Sequence, residues 1–233
     1  MQSLRFNCNH KDCAAYNELS LVHVTKTTNS TFMNIYFIVA SVLLVAIVAA
    51  LLYLAWCGLF AGITVEERDE GPFLLVYKKH TGDYKNIGPV LDDVYYTLRD
   101  EHDLTTTRGF GLYYDNPQLV EKANLRSLGG CIVDGLTPEE LHRRYPGVKE
   151  SFAVGVFPAS LSVAAEFPYR GTVSVILGVF RVYPRLHTWM KKYKRRSVPV
   201  MEIYNTPDRK VTYLAAVGVP DSIYENLFNQ GTR

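Results

Sequence analysis

Leu161-Ser162-Val163-Ala164-Ala165-Glu166-Phe167, stopped by Pro168, begins a run of elements that continues to residue 217. The run is strand-like, and a proline cannot continue the ladder of a central strand. A long helical stretch comes next, from about Thr172 to Lys194, with Pro184 inside it predicting a kink. Val198–Tyr204 and Lys210–Val217 then read as a closing hairpin around the turn residues Asn205-Thr206-Pro207-Asp208. The order is strand, long helix, strand, strand.

Toward the N-terminus the same order recurs. Phe73–Tyr77 is a strand-like run, broken by Gly82 and Gly88-Pro89. Val90, Leu91, Val94, Tyr95 and Leu98 then have the spacing of one helical face. Gly109–Tyr114 reads as a strand closed by Asp115-Asn116-Pro117, and Leu125–Val133 reads as another. Between the halves, Thr137-Pro138-Glu139-Glu140 is a helix start: a threonine cap, proline in the first turn and acids at the positive end. That short helix ends at Pro146-Gly147, and Phe152–Val156 adds a short strand.

A doubled strand-helix-strand-strand unit predicts an α+β domain over residues 72–218: one antiparallel sheet with both long helices on one face. The other face is expected to curve into a groove along the internal twofold. Alternation assigns Met201 and Ile203 to the helices, and Val200, Glu202 and Tyr204 to the groove. One carboxylate among apolar and aromatic neighbours suits a cationic or aromatic ligand. The competing reading pairs Glu202 with a Lys or Arg at a rim. Glu166 is the candidate for a second acid in the groove, and two acids side by side would favour an enzyme.

Ahead of the domain, no residue from 27 to 65 carries a formal charge. Residues 34–63 are expected to form one transmembrane helix, longer than the roughly 7–15-residue apolar core of a cleaved leader. Tyr36 stands near one end, with Tyr53 and Trp56 toward the other, where amphipathic rings favour the headgroup level. Basic residues on the two flanks nearly tie, so charge does not fix orientation. The tail, residues 1–33, holds Cys8, His10 and Cys13, either a sparse metal set or a small disulfide loop, and a sequon at Asn29 that lies close to the span.

Composition narrows the classes. The 233 residues carry a net charge of +2, too small to argue for direct nucleic-acid binding. Cys57 lies in the apolar block and Cys131 stands alone, so no disulfide framework is expected in the domain. His10, His23, His80, His102, His142 and His187 are scattered. With no phosphate-binding loop, nucleophile elbow or zinc-protease motif, we expect a binding protein with no catalytic residues, metal or cofactor.

Two further segments carry candidate contacts. Lys191, Lys192, Lys194, Arg195 and Arg196 lie at and just past the end of the long helix. They either offset its dipole or meet an anionic membrane or nucleic acid. Residues 219–233 form a C-terminal tail. There Asp221-Ser222-Ile223-Tyr224-Glu225-Asn226-Leu227 has the aromatic-x-x-aliphatic pattern of autophagy-modifier ligands, with Tyr224 and Leu227 as anchors. Alternatively Ile223, Tyr224, Leu227 and Phe228 form an amphipathic helix on the domain.

Three stretches in this order resemble one family. Gly111-Leu112-Tyr113-Tyr114-Asp115-Asn116-Pro117, Glu166-Phe167-Pro168-Tyr169, and Pro199-Val200-Met201-Glu202-Ile203-Tyr204 are similar to segments of the testis-expressed protein 264 family. The likeness covers roughly Gly58 to Gly218, and the family also has one membrane helix before its domain. It implies a gyrase-inhibitor-like fold, whose bacterial members bind small molecules in their groove. It implies an endoplasmic reticulum protein with a luminal N-terminus and a cytosolic domain, found also at autophagosomes and the nuclear envelope. The implied role is receptor or adaptor in selective autophagy of the reticulum, with autophagy modifiers as partners. A link to topoisomerase–DNA crosslink repair through the valosin-containing unfoldase is implied as well. The family's receptor carries its autophagy motif in a long acidic tail; the sequence here ends at Arg233, and Tyr224–Leu227 is its only tail segment with the pattern.

Overall fold

The computed structural model describes residues 34–230, so the Cys8/His10/Cys13 group and the Asn29 sequon lie outside the described residues. The chain divides into two compact units, one ending at Tyr53 and one beginning at Leu54.

Helix α1 (Asn34–Trp56) has 23 residues and a mean hydropathy of 3.0, long and apolar enough to cross a membrane. It ends seven residues before the expected limit at Ile63, and the stop is local. Gly58 takes φ +104, a conformation that suits glycine, and donates its N–H to Ala55 O while Leu59 N–H reaches back to Leu54 O. That pair of bonds is a Schellman cap, which satisfies the last carbonyls and turns the chain.

Eight strands come after it: β1 (Val65–Glu70), β2 (Phe73–Thr81), β3 (Arg108–Tyr113), β4 (Arg126–Val133), β5 (Ala153–Phe157), β6 (Ser160–Pro168), β7 (Val200–Asn205) and β8 (Lys210–Ala215). The long helices are α2 (Gly88–Asp100) and α5 (Thr172–Lys192); α3 (Pro138–Arg144), α4 (Val148–Ser151) and α6 (Asp221–Gln230) are shorter. All strands form one antiparallel sheet in the order β1-β6-β8-β7-β3-β4-β2-β5. The doubling is visible in that order. β2-α2-β3-β4 and β6-α5-β7-β8 meet at the β7–β3 seam, and each half gains one edge strand.

Strand β1 extends the sheet beyond the expected domain start at residue 72. Its sequence, Val65-Glu66-Glu67-Arg68-Asp69-Glu70, is mostly charged. At an edge such charges are an asset, because they blunt pairing with other chains. Arg68 gathers Glu66, Glu70 and Glu166 around one guanidinium. Helix α3 starts as expected: Thr137 Oγ1 accepts from Glu140 N–H, and Glu140 Oε2 accepts from Thr137 N–H. Helix α5 runs through Pro184 without ending there.

Both long helices pack on one face. Under α2 lie Leu74, Val76, Cys131 and Val133 with Val94 and Leu98; under α5 lie Ala165, Phe167, Val211 and Tyr213 with Val182. The opposite face carries Tyr77, Phe110, Leu112, Leu128, Met201 and Ile203, and α6 covers part of it through Tyr224, Leu227 and Phe228. Tyr77 donates its hydroxyl to Leu227 O, Tyr114 to Tyr224 O, and Tyr224 to Ala216 O. Of the two readings of residues 219–233, a tail ligand or an amphipathic helix on the domain, the structure has the helix.

Candidate functional site

The alternation along β7 is as expected, but its facing is reversed. In the register, Glu202 stands opposite Tyr213 of β8 and Gly111 of β3, and Tyr204 stands opposite Val211. Those partners lie under α5, so Val200, Glu202 and Tyr204 face the helices, while Met201 and Ile203 face α6. A period of two sorts residues into two sets without saying which set meets the helices.

Glu202 thus sits at the seam of the two halves, only 2 % exposed. Tyr183, from α5, donates its hydroxyl to Glu202 Oε1 at 2.8 Å, and Tyr204 donates to Oε2 at 2.6 Å. Among the described residues no lysine or arginine pairs with it, so the rim ion pair is not formed. Tyr213 lies directly across the strand, its ring edge-on to Tyr183 at 5.6 Å. The buried Tyr213 hydroxyl has no hydrogen-bond partner. Tyr113, flanking Gly111 on the same face, completes a ring of four tyrosines around one carboxylate. Helix α5 comes close here because Gly178 has no side chain: a Cβ there would lie 2.2 Å from the Tyr213 hydroxyl.

Burial, the largest influence, raises the Glu202 carboxyl above its ordinary range, and the two phenol donors partly oppose it. The Tyr183 and Tyr204 phenols are pushed well up, first by burial and then by the Glu202 charge. The arrangement can hold a positive charge by direct pairing and by the faces of aromatic rings.

The other expected site residues are dispersed. Glu166 is on the opposite face of the sheet from Glu202, held by Lys210 at 2.7 Å and Arg68 at 3.2 Å. Those cations lower its carboxyl, the Lys210 bond foremost. It is no second acid beside Glu202. In the basic run, Arg195 forks onto both Glu67 oxygens at 2.5 and 2.9 Å. Arg196 binds Asp221 and the carbonyls of Val217 and Val219, tying the helix-end loop to α6. These two arginines are structural clamps, while Lys191, Lys192 and Lys194 remain exposed. Tyr224 and Leu227 are 2 % and 3 % exposed inside α6. They fill the sheet face and do not form an extended ligand. Sequence reasoning misses Tyr113, Tyr183 and Tyr213 as site residues; the one signal, tyrosines spread over both halves, is too common to single them out.

The chain is similar to known proteins. Residues 63–217 match the GyrI-like small molecule binding domain. One is the mouse testis-expressed protein 264 homolog, 31 % identical over 160 residues, 66 % of this chain and 49 % of that protein. It is similar to the human protein too, 29 % over 176 residues, 72 % of this chain and 53 % of that one. It thus spans about half the length of the curated relatives it matches. Among solved structures, the EcmrR C-terminal domain is 13 % identical with a TM-score of 0.44, covering 66 % of this chain and 96 % of that one. SAV2435 bound to tetraphenylphosphonium is 12 % identical with a TM-score of 0.42, covering 65 % and 92 %. With its matched region exceeding half of its length, the chain belongs to the GyrI-like small molecule binding domain family.

Proposed function

We propose that this protein is a membrane-anchored binding module whose GyrI-like domain takes a cationic, aromatic small molecule at Glu202. One observation carries the reading. A carboxylate is buried at the seam of the doubled fold with two phenols and no cation. Burying a charge without an opposite charge is costly, and a ligand cation would offset that cost. Entry requires Tyr183 or Tyr204 to swing off the carboxylate, which a ligand charge replaces. No step of catalysis is assigned to the site. The test is calorimetric titration of the full chain in detergent with tetraphenylphosphonium, against Glu202→Gln. Binding lost in the glutamine variant supports the reading; equal binding, or none to either protein, removes it.

A second reading rests on the similarity to testis-expressed protein 264. In it, α1 anchors the chain in the endoplasmic reticulum with the domain in the cytosol. The protein then serves as a receptor or adaptor in selective autophagy of the reticulum, with the valosin-containing unfoldase and crosslink repair as further connections. Here Tyr224 and Leu227 reach an autophagy modifier only after α6 leaves the sheet. Protease added to intact microsomes should remove the domain, and a pull-down comparing the intact chain with Tyr224→Ala/Leu227→Ala should lose the modifier. A protected domain carrying a glycan on Asn29 would reverse the orientation.

A further inference from the structure

The chain enters the second unit at Leu54, directly out of the apolar helix, and the segment after that helix is not a free tether. Between Trp56 and β1, residues 57–64 are laid onto the domain. Cys57 and Gly58 are buried, and a Cβ on Gly58 would strike the ring of Phe167. From α5, the Arg181 guanidinium donates to Gly58 O and, at 2.8 Å, to Ala61 O. Arg170 lies over the Trp56 ring at 5.2 Å. The end of the apolar helix and the outer side of α5 are therefore one surface within this unit.

That surface carries large apolar side chains close together. Phe60 is 75 % exposed and Phe180 74 %, and Ile176 and Val179 are exposed beside Phe180 at helical spacing. A shallow groove between Phe180, Ile63 and Val65 continues the patch toward Arg185 and Lys192. Its charge is of one sign: α5 carries Arg181, Arg185, Lys191 and Lys192 and no acidic residue. The nearest acids on β1 are already engaged, Glu67 by Arg195 and Glu66 by Arg68.

We propose that Phe60, Ile176, Val179 and Phe180 insert into the interfacial layer of an anionic lipid leaflet, with Arg185 and Lys192 on its headgroups. The domain is then docked on the membrane and not suspended from it. The inference rests on the membrane-anchor reading of α1. Chain continuity identifies the occupant, since a patch fused to the exit of an apolar span faces the surface that span leaves. So does the pairing of exposed aromatic rings with cations, the composition of interfacial helices.

The full chain is reconstituted into phosphatidylcholine vesicles with or without phosphatidylserine, in a Cys8→Ser/Cys13→Ser background. Cys57 and Cys131 are buried and escape labelling. A dye is placed at Phe180→Cys or, as control, at Leu119→Cys. Leu119 is 83 % exposed and comes after β3 at the Val200 end of the sheet, opposite the Lys210 end where Pro168 lies. Lipids spin-labelled near the headgroup should quench the dye at 180 and not at 119. Quenching should rise with phosphatidylserine, fall with salt, and be lost with the exposed substitution Ile176→Asp. Equal quenching at 180 and 119, in vesicles that retain the chain after alkaline washing, overturns the docking. Quenching indifferent to phosphatidylserine overturns the anionic preference. Release by alkali would instead remove the anchor reading, and the docking with it.

Discussion

Replacing Glu202 by glutamine should stabilise the folded protein at neutral pH, and the gain should depend on pH. Glutamine keeps the shape, and its amide can meet the hydroxyls of Tyr183 and Tyr204, so packing is conserved. What it removes is a charge that is 2 % exposed with no cation beside it. The effective desolvation penalty of such an ion is several kcal/mol, and two hydrogen bonds to a charged group return about 1.5–3 kcal/mol each. The residual cost is on the order of 1–2 kcal/mol, which for a unit of this size is a rise of roughly 2–8 °C in Tm. The sign with pH is fixed by the direction of the shift. Burial raises the carboxyl in the folded state above the unfolded value of 4.5, so the folded chain keeps a proton that the unfolded chain releases. The native protein is therefore favoured below pH 4.5 and loses stability as pH rises from there through the folded value. The glutamine variant lacks that slope. Thermal unfolding of both proteins in detergent across pH 4.5–8 should show curves that converge at the acid end and diverge above it. A variant less stable than the parent at pH 7.5, or parallel curves, would refute a buried uncompensated carboxylate.

Tyr204→Phe removes one of the two donors to Glu202 and should cost about 1.5–3 kcal/mol at neutral pH in denaturant unfolding, with a smaller cost in the Glu202→Gln background. Gly178→Ala places a methyl 2.2 Å from the buried Tyr213 hydroxyl and should destabilise by about 1–3 kcal/mol through overpacking, while an alanine at the exposed Val179 should cost under about 0.5 kcal/mol. Leu227→Ala empties a contact between α6 and the sheet; it should cost about 2–5 kcal/mol and speed amide exchange in α6, whereas a loose tail would show neither.

The doubled order of elements is legible because each signal is local. Turn residues, a helical spacing in Val90–Leu98 and a capping box at Thr137 act within a few residues, and the sheet order comes from pairing the halves. The parts that sequence reasoning misplaces depend on a partner distant in the chain. β1, which lies outside the expected domain start at residue 72, is a run of charges with no strand alternation until β6 supplies its register, Val65 against Ala165. Glu202 can be placed on its strand but not on its face, because the deciding partner is Tyr183 on α5, reached only through the packing of the whole helix.

The C-terminal segment shows most directly why a sequence pattern underdetermines function. Tyr224 and Leu227 satisfy two codes at once, since a spacing of three serves an extended ligand as anchors and a helix as one face. The structure resolves which is used in the closed domain. Ring contacts hold Tyr224 against Phe157 and Tyr114, Leu227 is buried in the same core cluster, and Tyr77 and Tyr114 bond the α6 carbonyls. Arg196 holds the start of the helix by Asp221 and so belongs to the same device. An autophagy modifier that used this segment would have to offset all of those contacts before gaining any of its own. The two uses are therefore mutually exclusive, and any binding through Tyr224 must weaken as the docking of α6 is strengthened.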